Sequence, residues 1–247
     1  MAAPLVVAHR GGSAVAPENT RAAFARALRE GANAVEVDVL PTRDGHLVVH
    51  HDERLVRTAG VDRAVWECDL HELRALDVGR WFGPEFAGER IATLDEVAAL
   101  LPPPTQLVAD FKHGEERFPG LVARVAAIAR PLGERFAVLS IQHAFALAVA
   151  EAAQGARALL TFRRPAATEE ELEAIRTLPP RAGLVTSMRA LSAALLVVAA
   201  EQARPVYVFT PNTATELDVA MRIGPTAVIS DRVADALAAR RRVHGAE

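Results

Sequence analysis

Cysteine and lysine are both nearly missing from this 247-residue chain. It has one cysteine, Cys68, and one lysine, Lys112. A lone cysteine closes no intrachain disulfide, which points to a reducing compartment. Neither sign of charge dominates, with 28 Lys+Arg against 31 Asp+Glu and a formal net charge of −3. That balance excludes a protein built to coat nucleic acid, which needs a strong basic excess. Long hydrophobic runs are absent too. The longest largely apolar stretch, Leu191–Ala200, is half of the roughly 20 residues that a membrane span requires. The run Leu5-Val6-Val7-Ala8, followed by His9-Arg10, is too short for a signal-peptide core and reads as a first strand. The expectation is a cytoplasmic protein with no nucleic-acid partner and no stable membrane association.

What is present is a core-forming composition, 51% hydrophobic and 24% charged, in a regular order. Eight short apolar runs, Leu5–Ala8, Val35–Val39, Gln106–Phe111, Val138–Ile141, Arg157–Leu160, Gly183–Thr186, Val206–Phe209 and Ala227–Ser230, read as strands. Helical segments rich in Ala, Leu, Arg and Glu separate them and follow the last. Strand–helix alternation implies parallel pairing. Eight such units in about 250 residues imply a closed α/β barrel, the TIM (β/α)8 fold. An open doubly wound sheet is the rival, but its GxGxxG phosphate loop is absent. Thr93 with Glu96, and Thr168 with Glu171, have capping-box spacing at two helix starts.

The rhythm breaks once. About 60 residues separate the second and third strands, where a βα unit uses ~25–30. Thr42-Arg43-Asp44-Gly45 marks a turn, and Leu47–His50 a short returning strand. Residues 53–92 then form an insertion in what is otherwise a single catalytic barrel domain, 1–247. Insertions after a barrel strand sit on the active face, so a small cap beside the site is expected. Trp66 belongs to the insertion's own small core, and Trp81-Phe82 are candidates to reach the substrate.

Charged residues on barrel strands mark the chemistry, because strand interiors are costly places for charge. In Val35-Glu36-Val37-Asp38-Val39 the period of two puts both carboxylates on one face and the valines on the other. The third strand repeats the pattern, with Asp110 and Lys112 on one face. Three carboxylates and one ammonium would converge at the mouth. Oxygen-only ligands suit one hard divalent cation, Mg²⁺ or Ca²⁺, with Mn²⁺ also possible. His9 ends the first strand, and His50 and His51 end the returning strand, so two strand-end histidines form a candidate acid–base pair. Arg10 offers a bidentate fork to an oxyanion such as phosphate, and Gly11-Gly12 lets the backbone turn close to a ligand. A cation, an Arg and two His together suit hydrolysis of a phosphate ester.

At these residues the chain resembles the glycerophosphodiester phosphodiesterase family. The matching runs are His9-Arg10-Gly11-Gly12, Pro17-Glu18-Asn19-Thr20, Glu36-Val37-Asp38-Val39, Thr42-Arg43-Asp44-Gly45, Val48-Val49-His50-His51-Asp52, Arg57-Thr58 and Ile91-Ala92-Thr93-Leu94. Asp110-Phe111-Lys112, Phe209-Thr210-Pro211-Asn212 and Ser230-Asp231 match more loosely. The resemblance implies His9 and His51 as acid and base, His51 being chosen over His50 because it directly precedes Asp52. It implies Glu36, Asp38 and Asp110 as metal ligands, Arg10 and Lys112 near the phosphate, Asn19 on phosphate or metal-bound water, and Phe209 as an aromatic platform. Glu18 is expected to order the first loop. The implied reaction is metal-dependent hydrolysis of glycerophosphodiesters, deacylated phospholipids such as glycerophosphocholine or glycerophosphoethanolamine, to glycerol 3-phosphate and an alcohol. Asp110 departs from the family pattern in being one methylene shorter than Glu, and Phe209 in lacking an indole N–H.

Three other readings compete. A related barrel phospholipase would act on intact lipids, but no exposed apolar or basic docking helix stands out. A zinc-dependent amidohydrolase would need His-x-His at the first strand, where residue 11 is Gly. A non-catalytic binding protein has no need of the full set of acids, histidines and Arg.

Overall fold

The structure is a computed structural model that describes residues 2–164 and 168–245. Its elements run β1 (Leu5–Ala8), α1 (Arg21–Glu30), β2 (Ala34–Pro41), β3 (Leu47–Val49), α2 (Val56–Ala59), α3 (Leu70–Ala75), α4 (Leu94–Leu100), β4 (Gln106–Phe111) and α5 (Leu121–Ala129). They continue with β5 (Phe136–Ser140), α6 (His143–Ala153), β6 (Arg157–Phe162), α7 (Glu169–Arg176), β7 (Gly183–Ser187), α8 (Ala193–Glu201), β8 (Val206–Phe209), α9 (Ala214–Ile223), β9 (Ala227–Ser230) and α10 (Val233–His244).

Among the described residues, β1, β2 and β4 to β9 pair in parallel, each with the next. β1 also pairs with β9, so the sheet closes on itself as a TIM barrel. The strand faces divide as their period requires. Val35, Val37 and Val39 point outward into a core shared with Phe24, Val125 and Phe145 of the helices. Val7, Ala34, Val108, Leu159, Val185, Tyr207 and Ile229 fill the barrel interior. Glu36 and Asp38 continue Ala34's inward row, and Asp110 continues Val108's. Helix starts behave as their sequences predict, with Thr93 and Thr168 each accepting from the backbone N–H three residues on.

β2 is longer than its apolar run. Leu40 and Pro41 pair antiparallel with Val48 and Leu47 of β3, outside the barrel wall. β3 ends at Val49, and the His50 backbone N–H donates to the Asp38 carbonyl at 2.9 Å. That bond brings the returning segment to the mouth.

Residues 53–92 supply most of a second small core, in which Leu55, Val65, Cys68, Leu73, Val78 and Ile91 pack with Leu40 and Val48. Trp66 packs at its edge, and its ring also meets Phe118 and His113 of the β4–α5 segment, at centroid distances of 5.9 and 6.0 Å. No described helix is long and apolar enough to cross a membrane.

Candidate active site

A cavity of about 450 Å³ opens at the C-terminal ends of the barrel strands. His9, Arg10, Glu36, Asp38, His51, Asp110 and Lys112 line one side of it. Every barrel strand contributes to the lining, β2 and β9 from within the strand and the others at the strand end or just beyond.

Glu36, Asp38 and Asp110 converge on that floor. Asp38 and Asp110 are register partners on adjacent strands. One oxygen from each of the three carboxylates lies within 4.8 Å of the others. Glu36 and Asp38 are each only 3% exposed. Burial, with Asp38 adding its repulsion, pushes the Glu36 carboxyl up to about 7. Burial and the charges of Asp38 and Glu36 likewise push Asp110 well above the usual carboxylate value. No described residue donates a hydrogen bond to the Asp110 side chain. Burial alone would raise Asp38, but Arg10, His51 and Lys112 more than offset it and hold that carboxyl low. Two carboxyls that resist ionising, beside one held low, form an oxygen cluster short of positive charge. The donor set therefore fits a hard divalent cation.

The cations beside the acidic cluster are already engaged. Arg10 Nε lies 3.3 Å from Asp38 Oδ2, and Arg10 Nη1 donates to Glu18 Oε1 at 3.3 Å. The Arg10 backbone N–H donates to Glu36 Oε2 at 2.8 Å, a bond allowed by the left-handed backbone at Arg10, φ 50°. Lys112 Nζ donates to the His51 carbonyl at 2.7 Å and lies 3.8 Å from Asp38 Oδ1. Asn19 Nδ2 donates to Asp38 Oδ2 at 3.0 Å, and Asn19 is buried and not part of the cavity lining.

Each of two histidines stands between a partner carboxylate and this cluster. His9 Nδ1 is 2.6 Å from Asp231 Oδ1, and its Nε2 is 3.9 Å from Glu36 Oε2. His51 Nδ1 is 2.6 Å from Asp52 Oδ1, and its Nε2 is 3.9 Å from Asp38 Oδ1. A carboxylate on Nδ1 fixes the tautomer and leaves Nε2 toward the cavity. Burial lowers the proton affinity of His9, but Glu36 and Asp231 more than offset this and the net shift is upward.

The sequence model of the Glycerophosphoryl diester phosphodiesterase family matches residues 9–235, which run from the first histidine to beyond its partner Asp231. The chain belongs to that family. Among curated relatives, it is 44% identical over 142 residues to a glycerophosphodiester phosphodiesterase of Caldanaerobacter subterraneus subsp. tengcongensis, covering 56% of this chain and 58% of that one. It is 37% identical over 165 residues to a probable glycerophosphodiester phosphodiesterase 1 of Mycobacterium tuberculosis, covering 64% and 56%. These matches span little more than half the length of either relative. Among solved structures, an Oleispira antarctica phosphodiesterase in complex with the product sn-glycerol-3-phosphate superposes with a TM-score of 0.83, at 29% identity over 96% of both chains. A putative glycerophosphoryl diester phosphodiesterase from Silicibacter pomeroyi DSS-3 shares the fold, with a TM-score of 0.86 at 23% identity over 97% and 94%.

Within this family framework, the two adjacent histidines separate cleanly. His50 is 4% exposed, its Nδ1 lies 2.7 Å from the Asp52 carbonyl, and its Nε2 lies 2.8 Å from Thr58 Oγ1. Burial lowers its proton affinity, so it is a neutral structural group. His51 is the one that lines the cavity.

Phe209 lines the cavity on the far side from Asp38. Trp81 does not. Its indole N–H donates to the Val78 carbonyl at 2.9 Å, and its ring meets Phe82 and lies under the Arg57 guanidinium. Gly79 shapes that turn, since a Cβ there would fall 2.0 Å from the Phe86 carbonyl oxygen. No cavity-lining residue comes from 53–92. The insertion acts on the site through Arg57, which donates to Asp52 Oδ2 at 2.6 Å and to both Glu18 oxygens at 2.6 and 3.0 Å. Glu18 thus joins the first loop, through Arg10 and Arg57, to both histidine-bearing segments. Despite partial burial, Arg57 and His51 hold Asp52 far below the usual carboxylate value.

Asp231 is the main residue that strand patterns do not reveal. It accepts from Ser13 Oγ at 2.5 Å as well as from Asn212 Nδ2, and it lies beside His9. Burial opposes its ionisation, yet these partners hold its carboxyl far below the usual value. Its only sequence signal is the Ser230-Asp231 pair at the end of the last strand.

Proposed function

We propose that the protein hydrolyses glycerophosphodiesters to glycerol 3-phosphate and an alcohol, using a divalent cation and the two histidines. The observation that carries this is the symmetry of the pair. His9 and His51 each have Nδ1 on a carboxylate at 2.6 Å and Nε2 toward the acidic cluster at 3.9 Å. Two such groups beside one cation cluster suit a displacement at phosphorus, where one takes a proton from the nucleophile and the other gives one to the leaving alkoxide.

Glu36, Asp38 and Asp110 would hold the cation, Mg²⁺ or Ca²⁺ with Mn²⁺ possible, which supplies Lewis-acid stabilisation of phosphoryl charge when bound. Arg10 and Lys112 orient the phosphate and keep Asp38 ionised. The substrate's neighbouring glycerol hydroxyl is the first nucleophile, forming a cyclic phosphate that water opens in a second step. The partner is thus a small molecule, with no nucleic acid or stable membrane attachment required. The single, buried Cys68 suits cytoplasmic conditions.

A coupled assay for released glycerol 3-phosphate, with each metal added in turn, tests the reading. His9→Gln and His51→Gln should each lose at least about 100-fold in kcat. Full activity in either variant would remove that histidine from the mechanism, and no release from any glycerophosphodiester would remove the activity.

A further inference from the structure

The cavity has two chemically different halves. The acids, both histidines, Arg10 and Lys112 lie on β1, β2 and β4 and the returning segment. The other half is lined by Leu139, Ile141, Thr161, Ser187 and Phe209, with one charged residue among them, Arg163. The β6 side chains Leu159 and Thr161 face inward, and Arg163 is the next residue of that row, just past the end of the strand. In the closed ring β6 stands opposite β1, with three strands between them on either side.

Arg163 is exposed and makes no ion pair or hydrogen bond with any described residue. Arg10, by contrast, is engaged by Asp38 and Glu18, and Lys112 by Asp38 and the His51 carbonyl. Among the described residues, the lining carboxylates all belong to the Glu36, Asp38 and Asp110 cluster. Phe209 is the one Phe, Tyr or Trp among the described lining residues, so nothing there encloses a quaternary ammonium. The hydroxyl of Thr161 is buried at the same wall and makes no hydrogen bond.

We infer that Arg163 is a specificity residue that selects glycerophosphodiesters whose alcohol carries a second anionic group, a phosphate or a carboxylate. The inference rests on the proposed phosphodiesterase reading. With the reacting phosphate held by the β1, β2 and β4 side, the alcohol extends across the mouth toward β6. A guanidinium without a partner there attracts an anion and repels choline or ethanolamine. The Ser187 hydroxyl offers a further donor to the same group.

The test compares kcat/KM for four substrates in the wild type and in Arg163→Gln. These are glycerophosphocholine (cationic alcohol), glycerophosphoglycerol (neutral), glycerophosphoglycolate (carboxylate, no amine) and bis(glycerophospho)glycerol (second phosphate). In the wild type at least one anionic substrate should exceed glycerophosphocholine by tenfold or more. Arg163→Gln should remove that preference while changing glycerophosphoglycerol less than threefold, and Arg163→Glu should turn the preference toward glycerophosphocholine. Whichever of the carboxylate and phosphate substrates loses more in Arg163→Gln identifies the anion. Equal losses on all four substrates would place Arg163 on the reacting phosphate and overturn the inference, as would unchanged ratios. Failure to hydrolyse any of the four would overturn the underlying reading itself.

Discussion

His9 Nδ1 and Asp231 Oδ1 lie 2.6 Å apart although 222 residues separate them. The contact exists because β1 pairs with β9, which sets the residue after the first strand beside the residue after the last. Barrel closure therefore completes the site. Asp231 is itself held by Ser13 and Asn212, so the His9 ring is oriented from a fixed carboxylate.

Asp231→Asn should leave the fold intact and lower kcat by about 10²–10³-fold, because an amide no longer enforces the tautomer or stabilises the imidazolium. KM should change only a few-fold. Steady-state kinetics with circular dichroism checks this, and a kcat near wild type would show that Asp231 matters only to packing.

His50 and His51 should fail in different ways. His51→Gln should lose activity and keep its urea midpoint. His50→Gln should keep most activity and lose about 1–3 kcal/mol, because a buried hydrogen-bonded group is displaced. The pH sign follows from the lowered proton affinity of His50. Above the unfolded value of about 6.5 the imidazole is neutral in both states. As pH falls below that value the unfolded chain takes the proton first, so stability drops. His50→Gln lacks this contribution, and its deficit against wild type should shrink between pH 7.5 and pH 5. A constant deficit across that range would contradict a neutral His50.

Gly11→Ala should destabilise by about 1–3 kcal/mol. Gly11 has φ +84°, and a Cβ would fall 2.8 Å from both Ala23 Cβ and Phe24 Cδ1 of α1. The first loop must stay this close to α1 for Arg10 N–H to reach Glu36. Activity should therefore fall along with the thermal midpoint. A variant with wild-type stability would show that the loop can shift at no cost.

How far the sequence reaches depends on whether a feature is local. The strand period alone puts Glu36, Asp38 and Asp110 on the inner wall, and they do converge. Asp231 is different, since its role needs the register of β1 against β9. Arg163 escaped the strand pattern because the apolar run ends at Leu160, whereas β6 continues to Phe162 and carries the inward row to the rim. Trp81 is expected at the site because the insertion follows a barrel strand, but the Gly79 turn folds its ring back onto Phe82.

The acidic cluster makes the last prediction, and it can be read without turnover. Three crowded carboxylates repel, so neutralising one should stabilise the chelated protein while weakening cation binding. Glu36→Gln and Asp110→Asn should each raise the thermal midpoint in chelator. Each should also weaken Mg²⁺ or Ca²⁺ binding in calorimetry by more than about 10-fold, the scale already seen for outer-shell partners. Asp110→Glu restores the longer carboxylate of the family pattern and should keep the affinity within a few-fold. If Glu36→Gln binds the cation as tightly as wild type, the cluster is a salt-bridge device built around Arg10 and Lys112, and the metal reading fails.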